Sequence, residues 1–147
     1  MKRNSRLSAV LHALMHMAER EEPMTSDDLA RCLDTNAVVV RRTMAGLRDA
    51  GIVQSGRGHG GGWHFARPLA EISLLDIYNA LGEPILFQIG PATEAPGCVV
   101  EQSVNRVIGE AMKDAEAILM ARFTATTLAD LAADFRVVAK HRRADTG

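Results

Sequence analysis

The chain has 147 residues, 47% of them hydrophobic, 24% charged and only 4% aromatic, which supports one compact domain, or a small domain plus a dimerisation element, around an aliphatic core. No apolar run approaches the roughly 20 residues that span a bilayer. Two cysteines cannot build a disulfide framework, so a reduced, cytoplasmic protein is expected. The basic start, MKRNSR, leads into a segment holding His12, His16 and Glu19 rather than into a signal-peptide core. The net charge of −1 hides an asymmetry: ten Lys/Arg face seven acids up to Arg67, and seven face eleven after it. A basic half joined to an acidic half points to a polyanionic partner for the first half alone.

In chain order, residues 5–19 place Leu7, Val10, Leu11, Leu14, Met15 and Ala18 at helical spacing, and Glu21-Glu22-Pro23 ends the stripe. Thr25 or Ser26 caps a short second helix, with Asp27 and Asp28 in the first turn where carboxylates suit the dipole. Its buried side is expected to be Leu29, Cys32 and Leu33. Asp34-Thr35-Asn36 forms a turn, and Asn36 caps a third helix over 37–50. There Val40, Met44 and Leu47 repeat on one face, while Val39, Arg41, Arg42 and Arg48 spread over the rest. Gly51 closes that helix in the left-handed conformation. Two short helices joined by a tight turn, the second bearing exposed arginines, describe a helix-turn-helix.

A β-prone run, Ile52-Val53-Gln54-Ser55, follows, then GRGHGGG over residues 56–62, then Trp63-His64-Phe65-Ala66, a second strand ended by Arg67-Pro68. Gly56, Gly58 and Gly61 satisfy G-x-G-x-x-G, but a dinucleotide loop needs a helix N-terminus directly behind it, and a nucleotide-triphosphate loop needs Gly-Lys-Ser/Thr. Neither context is present. Two readings remain: a hairpin tip with no partner, or a wing. In a wing the bare backbone at Gly58 and Gly60 approaches a duplex, and Arg57 reaches a minor groove or a phosphate. His59 is either a DNA contact or a spacer.

Ser73 caps a further helix (Leu74, Leu75, Ile77, Tyr78, Leu81) stopped by Gly82 and Pro84. Residues 83–97 read as a loop, in which Ile85, Leu86, Phe87 and Ile89 fit either a small-molecule effector or plain packing. The longest helical pattern, 99–123, carries Val104, Val107, Ile108, Ala111, Ala115, Ile118 and Leu119 as one stripe. Such a stripe finds a helix from a second subunit or folds back on its own domain. Thr127 caps a last helix with Leu128, Leu131 and Phe135, and the tail from residue 140 is expected to be frayed and disordered.

Three stretches, Thr35-Asn36-Ala37-Val38-Val39-Val40-Arg41-Arg42, Leu47-Arg48-Asp49-Ala50-Gly51-Ile52-Val53 and Ser55 through Trp63, make the chain resemble the IscR/NsrR/CymR family of bacterial winged helix-turn-helix regulators. The likeness runs to about residue 135. The resemblance implies a mainly α fold with a small β-hairpin: a winged helix-turn-helix over residues 1–82, a candidate sensor loop over 83–98, dimerisation helices over 99–139 and a tail over 140–147. It also implies a homodimer joined through helix 99–123 that binds a palindromic operator in double-stranded DNA and represses.

On this reading the third helix enters the major groove N-terminus first. Asn36, Val38, Val39, Arg41 and Arg42 then supply base and phosphate contacts, while Lys2, Arg3 and Arg6 reach phosphate. The family's iron–sulfur sensors hold their cluster with three cysteines in the loop before the long helix; only Cys98 stands there in this chain. The resemblance is therefore to a cluster-free branch with no cofactor, in which Cys98 is either a redox sensor or an inert thiol. His12 and His16 have metal-competent i, i+4 spacing but lack a nearby ligand set, so hydrogen-bonded or solvated rings are the alternative. No catalytic constellation is present, so an enzyme is not expected. A winged protein–protein adaptor is the competing function, and it predicts no salt-dependent binding to any duplex.

Overall fold

The protein is described here by a computed structural model over residues 6–58, 60–84 and 97–145. Three helices open it: α1 (Arg6–Ala18), α2 (Ser26–Leu33) and α3 (Ala37–Asp49). The N-cap of α2 is Thr25. Its hydroxyl accepts from the Asp28 N–H at 3.1 Å, while the Asp28 carboxylate accepts from the Thr25 N–H at 3.2 Å, a reciprocal capping box. The hydrogen bonds from the Thr25 hydroxyl and N–H hold the Asp28 carboxyl below the usual carboxylate range.

Because α2 is wedged between α1 and α3, its burial differs from the expected single stripe. Leu29 and Ala30 are buried, and Cys32 and Leu33 are half-buried against the core. At the start of α3 the Asn36 side-chain oxygen accepts from the Val39 N–H at 3.0 Å. Val40, Met44 and Leu47 form its buried ridge, and Gly51 (φ +74) turns the chain away at its end.

Strands β1 (Val53–Ser55) and β2 (Trp63–Phe65) pair antiparallel, with Val53 opposite Phe65 and Ser55 opposite Trp63. The flanking residues expected in the strands, Ile52 and Ala66, add one more hydrogen bond, from the Ala66 N–H to the Ile52 carbonyl at 3.0 Å. A strand, not a helix, follows the glycine loop, so no helix N-terminus faces it. The core is aliphatic as composition demands: Leu14, Leu29, Leu47, Ile52, Ile72, Ile77 and Leu128 are fully buried.

After a short 3-10 turn at Leu69–Glu71, Ser73 and Asp76 make a second capping box at the head of α4 (Leu74–Ala80). Helix α5 (Val99–Ala125) and helix α6 (Leu128–Asp145) then meet at a corner that is tied back to the winged unit. The Leu74 N–H donates to the Thr126 carbonyl and the Leu128 N–H to the Ile72 carbonyl, both at 2.9 Å. Helix α6 returns along α1, burying Leu128 and Ala132 and bringing Arg136 to 3.5 Å from Glu19. The expected fraying from residue 140 is not seen: α6 continues to Asp145. No Gly or Pro interrupts 128–145, and Arg142 and Arg143 sit in the last turn, where cations suit the dipole.

Candidate nucleic-acid interface

Helix α3 carries two opposed ridges. Val40, Met44 and Leu47 face the core; Val38, Arg42 and Ala45, offset by two residues and so by more than half a turn, face outward. Arg41 and Val39 flank that outward ridge. Both arginines are exposed, Val38 is 60% exposed and Val39 46% exposed. Two other arginines of the helix-turn-helix are matched with acids: Arg31 with Asp28 at 2.6 Å and Arg48 with Asp49 at 3.3 Å. Among the described residues Arg41, Arg42 and Arg57 have no such partner. Asn36 is exposed at the head of the helix; one lone pair of its side-chain oxygen is engaged by the cap, and its amide N–H groups remain to donate.

The wing tip is held by its own backbone. The Gly56 N–H donates to the Gly62 carbonyl at 2.8 Å, and the Gly61 N–H to the Gly58 carbonyl at 2.9 Å. Gly58 and Gly60 lie at φ +78 and +80, and a Cβ on Gly61 would sit 2.8 Å from the carbonyl oxygens of both Gly56 and Gly58. Glycine is therefore required by the compactness of the turn, and Arg57 is exposed on it.

Below the tip, Trp63 exchanges backbone hydrogen bonds with Met24 at 2.8 and 3.1 Å, and its indole N–H donates to the Ser26 hydroxyl at 2.9 Å. The wing is thus fastened to the start of α2, the helix packed against α3. Sequence reasoning missed this clamp. A lone tryptophan beside a glycine loop is the signal for a buried anchor, but nothing local identifies its partner 37 residues away.

Of the other expected contacts, Lys2, Arg3 and His59 lie outside the described residues, as do Ile85, Leu86, Phe87 and Ile89 of the candidate sensor loop. Arg6 is exposed yet directs a guanidinium N–H to the Leu81 carbonyl at 3.3 Å, in its own winged unit. His12 and His16 bring their Nε2 atoms to 2.9 Å, a hydrogen bond in which one ring donates and the other accepts.

A helix-turn-helix followed by a clamped, arginine-tipped wing and a long exposed helix has known counterparts. Residues 3–134 match the Rrf2 family, described as an iron-dependent transcriptional regulator. The chain belongs to the Rrf2 family. It is 27% identical over 128 residues, 87% of its length and 95% of the relative's, to YwnA of Bacillus subtilis, which is named as an HTH-type transcriptional regulator. CymR of B. subtilis, titled a global cysteine regulator, superposes with a TM-score of 0.57 at 25% identity, covering 90% of this chain and 98% of CymR. IscR of T. potens shares the fold with a TM-score of 0.67 at 22% identity, over 91% and 88% of the two chains. As an Rrf2 member the chain is a DNA-binding transcriptional regulator and not an enzyme.

Iron in the family description raises the question of ligands. This chain has two cysteines: Cys32, half-buried against the core in α2, and Cys98, exposed at the N-cap of α5. Residues 85–96 contain neither Cys nor His. Among the described residues no group of three or more His, Cys, Asp or Glu side chains is placed to hold a metal ion. One accessible thiolate does not fit a cluster that needs several. Among the described residues no helix is long and apolar enough to cross a membrane.

Proposed function

We propose that two copies of this Rrf2 regulator pair through α5 and bind an inverted-repeat operator as a cluster-free repressor. The observation that carries the DNA-contact reading is the set of exposed arginines without acid partners, Arg41 and Arg42 on α3 and Arg57 on the clamped wing. On this reading α3 lies in the major groove with Asn36, Val38, Val39, Arg41 and Arg42 toward the bases and flanking phosphates. Arg57, with the bare backbone of Gly58 and Gly60, lies against the neighbouring phosphates or minor groove. Lys2, Arg3 and His59 complete the proposed set. The pairing is supported by α5 itself: none of its 27 residues is buried in the single chain, and Val104, Val107 and Ile118 are 49 to 73% exposed. Pairing spaces the two α3 helices about one DNA turn, ~34 Å, which an inverted repeat satisfies.

The test is a salt titration of binding to a duplex selected from random sequence. Wild-type affinity should fall linearly on logarithmic axes, and Arg57→Ala should reduce the slope by about one phosphate's worth, ~0.9. An identical slope and affinity would remove the wing from the mechanism. Repeating the titration with and without peroxide checks whether the exposed Cys98 thiol carries a redox signal.

A further inference from the structure

Among the described residues of the winged unit, 6–84, only two large apolar side chains are exposed, Val38 at 60% and Val39 at 46%. Every other exposed large hydrophobic among the described residues lies on α5 or α6. Both valines sit in the first turn of α3, a helix with core contacts enough on its opposite ridge. Valine also has a poor helix propensity there, because its branched side chain loses χ1 freedom against the preceding turn. Val39 is partly covered, lining a groove with Val10, Ala13 and Leu33, but neither folding nor solubility calls for an apolar side chain at Val38.

Asn36, Arg41 and Arg42, the polar members of the proposed contact set around the pair, are restricted in what they can read. Arg41 and Arg42 only donate, so they match guanine N7 and O6. Asn36 reads adenine by donating and accepting at once, and one of its two oxygen lone pairs is engaged by the Val39 N–H at 3.0 Å, which ties the side chain to the cap. Side-chain acceptor capacity at the head of α3 is therefore limited to the remaining lone pair of Asn36. The first turn of α3 itself, residues 37–40, carries only apolar side chains, and the one apolar group on a major-groove edge is the C5-methyl of thymine. Val38 is the better placed of the two, since it shares the outward ridge with Arg42 one turn on, whereas Val39 lies on the flank toward Asp34 and Thr35.

We infer that Val38 is a specificity residue that packs on a thymine methyl in each half-site, next to a guanine read by Arg42 or Arg41. The inference rests on the DNA-binding reading above and narrows the ligand to a duplex with thymine methyls beside guanine.

The experiment uses the full chain and a duplex selected by it from random sequence. Each thymine of the half-site is replaced in turn by uracil, in both halves, which removes the methyl and keeps base pairing. At one position uracil should weaken wild-type binding about fourfold per half-site, the fold-change for one buried methyl-sized group at ~0.8 kcal/mol. Val38→Ala, a change at an exposed site, should bind the thymine and uracil duplexes alike at that position. Uracil without effect at every position would overturn the inference while leaving DNA binding intact. So would a uracil penalty that persists in Val38→Ala. A chain that selects no duplex even at low salt would instead overturn the DNA-contact reading itself, and would mark the valine pair as a surface for a protein partner.

Discussion

Replacing Ser26 by Ala removes the acceptor for the Trp63 indole N–H, a 2.9 Å hydrogen bond between residues 37 apart in sequence. Trp63 is only 8% exposed, so water replaces the lost partner poorly. An orphaned buried donor costs about 1–3 kcal/mol, and partial solvent access puts the expected loss near the lower half, ~1–2 kcal/mol. Ser26 is the first residue of α2 and not its cap, which is Thr25, so the substitution leaves helix capping untouched. Trp63→Phe deletes the donor and part of the ring, and is expected to be more damaging alone because it leaves a cavity beneath the wing.

The informative quantity is the cycle. In the Trp63→Phe background Ser26→Ala should cost almost nothing, giving a coupling of about 1–2 kcal/mol. Urea denaturation at one fixed protein concentration measures all four stabilities, since association would otherwise shift the midpoints. A Ser26→Ala protein as stable as the wild type, or equally penalised in both backgrounds, would refute the clamp.

Three further outcomes are expected. Gly61→Ala forces a Cβ to 2.8 Å from two backbone carbonyl oxygens, so the wing tip must open at a loss of about 1–3 kcal/mol; an unchanged urea midpoint would contradict that packing. Ile118→Glu, at a position 73% exposed in the single chain, should convert dimer to monomer in sedimentation without loss of helical circular dichroism; a persisting dimer would exclude this part of α5 from the interface. The pKa of His16 is lowered from 6.5 by burial, by His12 and by Arg20. The unfolded chain therefore takes up that proton at a higher pH than the folded one, so its contribution is present above 6.5 and is lost as pH falls through the folded value. His16→Gln should flatten the fall of the urea midpoint between about pH 7 and pH 5, and an identical fall in the variant would rule the residue out.

The helix starts were legible because their causes are local. Thr25, Asn36, Ser73 and Thr127 each accept from an N–H three residues on, and that spacing is printed in the sequence. The hairpin was legible for a similar reason, since β-prone runs flank glycines and a proline follows. The burial of α2 was only half legible, because a helix caught between two neighbours buries a second side that periodicity alone does not mark.

The tail is expected to fray because chain ends commonly do, yet cations at a helix C-terminus suit the dipole, and nothing in 140–145 breaks the helix. What the sequence alone determined is the order of elements and the chemistry offered by each: three helices, an arginine-tipped turn, a long apolar stripe. What only the tertiary structure decided is how those elements are held to one another. The indole of Trp63 finding Ser26, the α5–α6 corner hydrogen-bonding to Ile72 and Leu74, and the imidazoles of α1 meeting α6 in one groove all join distant residues. Such pairings follow from which surfaces pack together, and packing depends on the whole chain at once rather than on any window of it.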